Sequence, residues 1–374
     1  MKKISIKFAV AFSLAAILLT ALFSGCTRRP LEREFGGAMK VIVKCFWSLD
    51  NYPENPTGIT IYLFREGDPA PRVITTTSVD RYEMNLGVGK YKLYVISQSP
   101  GEYWTFDFEN MDSYDDAQVT LIENPSSWFA RYTKVDDEVV VNNPENLAVG
   151  MAEPFEITQE MIDKYLKYYE QYEHDHIYDP REGWKGGDGS NHDYGGLDII
   201  EVPVTPMNIT SQLWVTVYAG NAHMIKGMRA ATTGFARTFG LTQSTTAHES
   251  VSQALNEWQL EMLTKAEMKI GRLDGMITTF GLPDGAVPSP DRTPDLNIST
   301  LLVDNSTVHD YVFKVGDKIT LEERNPGYRN LYRLILGSPD DPAIIIPEVD
   351  PAPGGGFTAG VADWEDEYNV DIPL

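Results

Sequence analysis

The sequence predicts an all-β fold of the sandwich class with one minor helix. Short apolar segments that alternate with polar residues recur in two series, separated by Pro, Gly, Asn and Asp clusters. Short strands at such spacing are typical of β-sandwiches. The first series ends near the break Asn142-Asn143-Pro144, and a helical pattern separates it from the second series. We therefore expect two domains, at residues 38–150 and 151–374.

The first strand is predicted from Met39, with apolar residues on one face and Lys40 and Lys44 on the other. Cys45 lies on the apolar face, so we expect it to be a small buried core residue. Five more strands are expected in the first series, at Gly58 to Phe64, Val73 to Thr77, Tyr91 to Ile96, Ala117 to Ile122 and Glu138 to Val141.

Four aromatic residues, Tyr103, Trp104, Phe106 and Phe108, follow the strand at 91–96 in what reads as a connection. An aromatic platform for sugars and packing over the edge of the sandwich both fit this cluster. We favour packing, because large aromatic side chains most often contribute to cores.

One helix is predicted near residues 158–172. Thr158 is placed to cap its first turn, where the acidic Glu160 is also favourable. The residues at helical spacing are Met161, Ile162, Tyr165, Leu166, Tyr169 and Tyr172. We expect this stripe to pack on a sheet.

The segment 174–196 is rich in Gly, Asp and His and carries little apolar sequence. Its candidate metal ligands are His174, His176, Asp188, His192 and Asp193. Their spacing fits neither a zinc-binding helix pair nor an EF-hand, which alternates ligands over 12 residues and closes with a Glu. We therefore expect a surface loop and no metal site.

The second series predicts strands from Ile199 onward, at Leu213 to Tyr218, Met224 to Thr232, Gly275 to Phe280, Leu296 to Val303, Tyr311 to Val315 and Asp317 to Leu321, with apolar clusters at Leu331 to Leu336 and Ile344 to Ile346. The segment Ser250 to Leu260 fits a helix and a strand equally well. After a Gly-rich break at 354–356, the chain ends in a final strand with Val370, Ile372 and Leu374 on one face.

The N-terminus has the order of a bacterial lipoprotein signal: a basic start, an apolar run and small residues before a Cys. The apolar run, residues 8–19, is shorter than the roughly 20 residues that a membrane-spanning helix needs. We expect cleavage between Gly25 and Cys26, which makes 1–25 the signal and Cys26 the lipidation site. An ordinary secretory signal with a coincidental Cys is the alternative, but it does not require all these features together.

Composition agrees with an exported protein. The signal contains three Lys and no acid, so its removal changes the formal charge from −23 to −26. Such an acidic chain excludes nucleic-acid binding through a basic surface and membrane attachment through a polybasic patch. With Cys26 acylated, Cys45 has no cysteine partner within the chain, so stability depends on apolar burial.

In residues 26–37, apolar side chains do not recur at the spacing of a strand or a helix. This segment is predicted to be a tether between the lipid and the first domain. Arg28, Arg29 and Arg33 are candidate cleavage sites for a trypsin-like maturation protease. As an alternative, they are only solvated residues of the tether.

The lipoprotein signal and four segments in a fixed order resemble the fimbrillin-like lipoproteins of Bacteroidetes over nearly the whole chain. These segments are Tyr91 to Ile96 followed by Asn110-Met111-Asp112-Ser113-Tyr114, then Gly227-Met228-Arg229-Ala230, and finally Gly355-Gly356-Phe357 with Asp363-Trp364-Glu365. The resemblance implies two tandem transthyretin-like β-sandwiches. It further implies a pilus subunit or anchor at the outer membrane, on the cell surface or in a fimbrium, with other fimbrial subunits and a host protein or glycan as partners.

The resemblance also implies assembly by strand addition, in which a neighbour's C-terminal strand fills a groove exposed by proteolysis. Backbone hydrogen bonds supply affinity, and alternate side chains supply selectivity. Here the candidate donor is the final strand, and pairing within its own domain is the alternative. All three candidate Arg sites precede Met39, so no cut at them removes the first strand. This favours an unprocessed anchor or accessory subunit.

We expect no enzymatic activity and no cofactor. The sequence has no Gly-x-Ser-x-Gly elbow, no His-Glu-x-x-His and no phosphate-binding glycine loop. His248, Glu249 and Ser250 are neighbours in sequence, which does not make them a catalytic triad.

The rival function is that of a surface glycan-binding lipoprotein, which requires exposed aromatic rings beside polar residues. The candidates are Trp47, Trp104, Trp128, Trp184, Trp214 and Trp258. Burial of most of them would favour the fimbrial function over glycan binding.

Overall fold

A computed structural model of the protein describes residues 37–124, 138–175, 178–179, 183–184, 199–255, 257–263, 269–287, 294–322 and 326–352. Within these ranges the chain is dominated by β-strands, which confirms the predicted fold class. Before residue 158 the strands are β1 (Ala38–Cys45), β2 (Ile59–Arg65), β3 (Arg72–Thr76), β4 (Arg81–Gly87), β5 (Gly89–Ser97), β6 (Phe106–Glu109), β7 (Gln118–Leu121), β8 (Val140–Val141), β9 (Ala148–Met151) and β10 (Phe155–Ile157).

The α-helix, α1 (Gln159–Asp175), comes next, followed by the short strands β11 (Tyr178–Asp179) and β12 (Gly183–Trp184). The remaining strands are β13 (Ile200–Val204), β14 (Met207–Asn208), β15 (Ser211–Gly220), β16 (Ile225–Ala236), β17 (Thr238–Gly240), β18 (Thr245–Thr246), β19 (Ser250–Leu255), β20 (Trp258–Met262), β21 (Gly271–Thr279), β22 (Asp295–Leu302), β23 (Val308–Lys314), β24 (Ile319–Glu322), β25 (Leu331–Leu336) and β26 (Ile344–Ile345).

The structure contains several strands beyond those expected from the sequence. These are β4, β6 in the aromatic connection after β5, and the short strands β9, β10, β11, β12, β14, β17 and β18. In the ambiguous segment Ser250 to Leu260, the described residues form β19 and the start of β20.

The chain forms two compact units. The first comprises residues 1–39, 85–88 and 158–198, and its described part contains α1 and the antiparallel pair β11–β12. Thr158 caps α1 as expected, because its Oγ1 accepts a hydrogen bond from the Met161 amide at 3.3 Å. Ile162 and Tyr165 on the helical stripe are buried.

Among the described residues, the second unit contains four whole sheets and residues 40–45, 81–84 and 200–204 of a fifth. Their strand orders are β13-β1-β4 in sheet I, β14-β9-β5-β2-β3 in sheet II, β20-β21-β15-β25-β24 in sheet III, β23-β22-β16-β19-β8 in sheet IV and β18-β17-β7-β6 in sheet V. Strand β10 also pairs with β5, and β26 pairs with β15.

Two of the apolar cores in the described part of this unit are large. One lies between sheets III and IV, where Leu213 and Val215 of β15 meet Leu296 and Ile298 of β22. The other joins sheets II and V and contains Tyr94, Phe106, Val119 and Phe239. Each core is built from alternate residues of its strands, as the period of two requires.

Four of the five sheets combine strands from both sides of residue 150. Strand β8 pairs in parallel with β19, and β7 pairs with β17. Likewise, β13 and β14, which come after residue 150, pair with strands that begin before it: β13 pairs in parallel with β1, and β14 pairs with β9. The division into tandem domains at residue 150 therefore stays a prediction, and the observed sheets share strands across it.

A buried amide network fixes the segments where the chain passes between these sheets. The Asn208 side chain donates to Asn146 Oδ1 at 3.1 Å and to the Gly327 carbonyl at 3.0 Å. Its own Oδ1 accepts from the Thr210 amide at 3.0 Å and from Thr210 Oγ1 at 2.9 Å. Gly327 adopts φ +83°, and a Cβ there would lie 3.1 Å from the Leu49 carbonyl oxygen, so a glycine suits this position. The network therefore connects three segments that are distant in the sequence, namely those around Asn146, Asn208 and Gly327.

We expect Asn208→Ala to destabilise the protein by about 1–3 kcal/mol, because it leaves buried hydrogen-bonding groups without partners. Asn142→Ala is the matched control, since the Asn142 amide also bonds another Asn, Asn124, but is exposed. A change below about 0.5 kcal/mol is expected there. Urea unfolding measures both variants, and equal midpoint shifts would contradict a structural role for the buried network.

Candidate functional site

The residues predicted to carry lipidation, processing and strand exchange lie outside the described residues. They are Gly25, Cys26, Arg28, Arg29, Arg33, Val370, Ile372 and Leu374. The same holds for His176, Asp188, His192 and Asp193 of the predicted surface loop, while the backbone of His174 belongs to α1. The predictions made for these positions stay predictions.

The first strand of the described chain, β1, occupies the central position of sheet I. It pairs in parallel with β13 from Val41 to Cys45 and has β4 on its other side. The side chains of Val41 and Val43 are completely buried. A strand in this position is held by a hydrogen-bonded ladder on both edges and by apolar burial.

Ion pairs at the rim of sheet I reinforce this position. Lys40 of β1 donates to Glu83 of β4 at 2.9 Å, and Lys44 lies 2.6 Å from Glu201 of β13. The hydrogen bond from Lys40 holds the pKa of Glu83 below its usual value. Both neighbours of β1 are thus joined to it by side chains as well as by backbone.

The last described segment ends at the sandwich of sheets III and IV. Ile346 is buried, and its amide donates to the Gly220 carbonyl at 3.0 Å. The Ala352 amide donates to the Val303 carbonyl at 3.2 Å. The predicted final strand therefore follows a segment that is already attached to this sandwich.

The aromatic cluster after β5 contributes mainly to packing, as predicted. Tyr103 and Phe106 are buried, with ring centroids 5.4 Å apart. The Tyr103 hydroxyl donates to the Ser97 carbonyl at 2.7 Å. Trp104 is the exception, since 85% of it is exposed.

Burial of most tryptophans would favour the fimbrial function over glycan binding, and this condition is not met. Of the four whose side chains the structure describes, only Trp258 is buried. Trp47 is half-buried, and Trp104 and Trp214 are exposed. The glycan-binding alternative thus stays open on this criterion.

Trp214 lies in a groove of about 840 Å³ on the outer face of sheet III. The sheet register places Trp214 directly between Met276 of β21 and Arg333 of β25. One step along the same face, Thr216 lies between Asp274 and Ile335. The groove therefore presents one aromatic ring with apolar and charged side chains beside it.

Hydrogen bonds and ion pairs hold the polar side chains of this groove in place. Trp214 Nε1 donates to Gln212 Oε1 at 3.1 Å, which orients the indole ring. Asp274 accepts from Thr216 Oγ1 and from Arg272 Nε, both at 2.7 Å. The hydrogen bond from Arg272 to Asp274 raises the pKa of the guanidinium, so Arg272 stays charged.

Two glutamates form ion pairs with the arginines of this groove. Glu261 lies 2.8 Å from Arg272 Nη2, and Glu322 lies 2.7 Å from Arg333 Nε. Arg272 is held by a hydrogen bond to Asp274 and by its ion pair with Glu261, whereas, among the described residues, Arg333 is held by its ion pair with Glu322 alone.

The position of Trp214 on the outer face of β15 can be recognised from the sequence. In β15 the outward residues Trp214, Thr216 and Tyr218 alternate with the buried Leu213, Val215 and Val217. This alternation places Trp214 on the outer face of sheet III.

The sequence neighbours His248, Glu249 and Ser250 contact three different partners. His248 Nδ1 lies 2.8 Å from Asp284 Oδ2, and Arg237 binds Glu249 at 2.8 Å. Ser250 Oγ donates to Glu138 at 2.5 Å. The fold does not bring these three side chains together as a triad.

Among the described residues, no group of three or more His, Cys, Asp or Glu side chains is placed to hold a metal ion. None of the helices in the described ranges is both long and apolar enough to cross a bilayer.

A family model for a domain of unknown function, DUF5119, matches residues 25–256. The match covers more than half of the chain. The chain belongs to the DUF5119 family. A search of curated proteins gave no match to this DUF5119 chain.

Solved structures that match this chain include proteins of Bacteroides and Porphyromonas. A candidate adhesin from Bacteroides ovatus is 13% identical, with a TM-score of 0.52, and the match covers 87% of this chain and 98% of that one. The fimbrial anchor protein Mfa2 from Porphyromonas gingivalis is 10% identical, with 80% and 90% covered and a TM-score of 0.44. A candidate adhesin from Bacteroides thetaiotaomicron is 11% identical, with 74% and 81% covered and a TM-score of 0.43.

At 13% identity the likeness to the Bacteroides ovatus protein shows a shared fold and nothing further. The two lower TM-scores carry no structural argument. The resemblance of this DUF5119 chain to fimbrillin-like proteins is thereby confirmed at the level of the fold.

Cys45 is buried in β1, as predicted, and burial raises the pKa of its thiol to about 12. We expect this thiol to resist a disulfide reagent at pH 8 in a Cys26→Ser chain and to react rapidly once the chain is unfolded. Because the folded pKa is raised, its contribution to stability is complete below the unfolded pKa and is lost as the pH rises toward about 12. Fast labelling of the native protein would contradict this burial.

Proposed function

We propose that this protein is a non-enzymatic cell-surface lipoprotein that serves as an anchor or accessory adhesin subunit of a pilus. It is attached to the outer membrane through lipid on Cys26 and joins other subunits by strand addition. The lipoprotein signal, the acidic mature chain and a fold shared with a candidate adhesin support this proposal.

The observation that carries the anchor role is the central position of β1. Removal of a central strand would expose the ladders of β13 and β4 and the apolar surface that Val41 and Val43 bury. Cleavage at Arg28, Arg29 or Arg33 would leave β1 in sheet I but would remove the lipidated Cys26, so the anchor role requires these sites to stay uncut. A chain that keeps both its lipid and its first strand suits an anchor or accessory position better than a processed stalk position.

The acidic charge of the protein favours attachment to the membrane through a covalent lipid. A formal charge of −26 in the mature chain disfavours contact with anionic lipid headgroups, so the acyl chains have to supply the affinity. The family match begins at Gly25, so the signal lies almost entirely outside it. The test is surface fractionation with mass mapping of the mature N-terminus. We expect an acylated Cys26, and a terminus at Glu34 on surface-exposed protein would refute retention of the lipid.

We expect Cys26→Ala to release or mislocalise the protein, because each buried acyl CH₂ contributes about 0.8 kcal/mol to membrane binding. Cys45→Ala is the matched control, since Cys45 is buried and is the other Cys of the chain. Membrane fractionation compares the variants. Equal retention of wild type and Cys26→Ala would remove the lipoprotein proposal.

Deletion of residues 370–374 tests the role of the final strand. We expect the strand to be internal, so deletion should destabilise the sandwich of sheets III and IV by about 1.5–3 kcal/mol per buried side chain lost. A donor strand would instead leave monomer stability nearly unchanged and abolish incorporation into a fibre. Thermal unfolding and fibre incorporation are measured on the same variant.

The control for this deletion substitutes Ala at the alternate positions Asn369, Asp371 and Pro373, which lie on the other face of the predicted strand. A deletion variant unchanged in both measurements would show that the tail takes part in neither role.

A further inference from the structure

The groove around Trp214 has the composition of a ligand site. Its volume of about 840 Å³ lies within the range of about 300–1,000 Å³ that is usual for small-molecule sites. An exposed indole, the neighbouring Tyr218 and the apolar Met276 and Ile335 alternate with charged and polar side chains. Such a lining combines apolar contact with a few positioned hydrogen-bonding groups.

Charge distinguishes this groove from the centre of a protein–protein interface. Interface cores are depleted of charged residues. Four charged residues, Glu257, Arg272, Asp274 and Arg333, line the groove. A protein partner seated here would have to desolvate all of them.

The same residues indicate a neutral ligand. Two carboxylates and two guanidiniums give the lining no formal net charge, and Glu261 and Glu322 outside it pair with the guanidiniums. An acidic ligand would meet no unbalanced positive charge and would approach a strongly acidic protein. A ligand with many hydroxyl groups and no charge avoids both costs.

The side chains are held in position before any ligand arrives. Gln212 orients the Trp214 indole, Thr216 and Arg272 fix Asp274, and Glu322 fixes Arg333. Ordering these side chains in advance reduces the entropy lost on binding. The exposed Trp104 does not belong to this groove.

We propose that this groove binds a neutral oligosaccharide. The apolar C–H face of a sugar ring packs on the Trp214 indole, and its hydroxyl groups bond to Asp274, Arg272 and Arg333. The proposal goes beyond strand addition, which uses strand edges and requires no ligand on the outer face of sheet III.

The test is calorimetric titration of the mature chain with neutral hexose oligosaccharides, namely cellohexaose, maltohexaose, laminarihexaose and mannohexaose, and with sialyllactose as the acidic comparison. We expect at least one neutral oligosaccharide to bind more tightly than sialyllactose. Trp214→Ala should weaken that binding by at least about tenfold, as truncation of a central aromatic contact does. Asp274→Asn should weaken it through loss of the charged partner of Arg272.

Trp104→Ala is the matched control, because it removes another exposed tryptophan outside the groove. It should bind the oligosaccharide as wild type does. Circular dichroism and the melting temperature should be unchanged in Trp214→Ala, since Trp214 is 46% exposed and lies on the outer face.

Three results would overturn the proposal: no binding by wild type, equal binding by Trp214→Ala, or an equal loss in Trp104→Ala. The Trp214→Ala protein should still fractionate with the membrane. Failure of oligosaccharide binding with normal membrane retention would thus reject the glycan site and leave the anchor function standing.

Discussion

The parallel pairing of β1 with β13 is the interaction on which the rest of the architecture depends. It joins residues 41–45 to residues 200–204, so sheet I exists only after the chain has passed through sheets II, IV and V and returned. The buried Asn208 network lies directly after β13 and fixes the start of β15, the central strand of sheet III. The position of β1 between β13 and β4, which are both distant from it in the sequence, is the observation on which the proposed anchor role rests.

The sequence predicted most strands because one face of each is buried and the other is polar. Strand β4 was missed because only Met84 and Leu86 of its seven residues are buried. The segment containing β19 was ambiguous because nearly all of its residues are buried, including the polar Ser252 and Gln253, so its apolar residues do not alternate with a period of two. The pairing of strands across residue 150 could not be predicted, because the alternation of apolar and polar residues identifies a strand but does not show which strand it pairs with.

The two candidate sites differ in how much of them a sequence can indicate. The lipoprotein signal is a contiguous sequence pattern, so the lipidation of Cys26 was predicted from the sequence alone. The Trp214 groove is assembled from β15, β20, β21 and β25, whose residues are up to about 120 positions apart in the sequence. Alternation in β15 places Trp214 on the outer face, but only the register with β21 and β25 places Asp274 and Arg333 beside it.

Assembly and ligand binding make different demands on a β-sandwich, and this fold is able to meet both. Strand addition uses backbone groups at strand edges, where specificity comes from side chains that enter the core. Outer-face residues such as Trp214 and Arg333 point away from that core and are not constrained by it. A subunit assembled through its edges can therefore present a ligand groove on an outer face, since neither contact requires the side chains of the other.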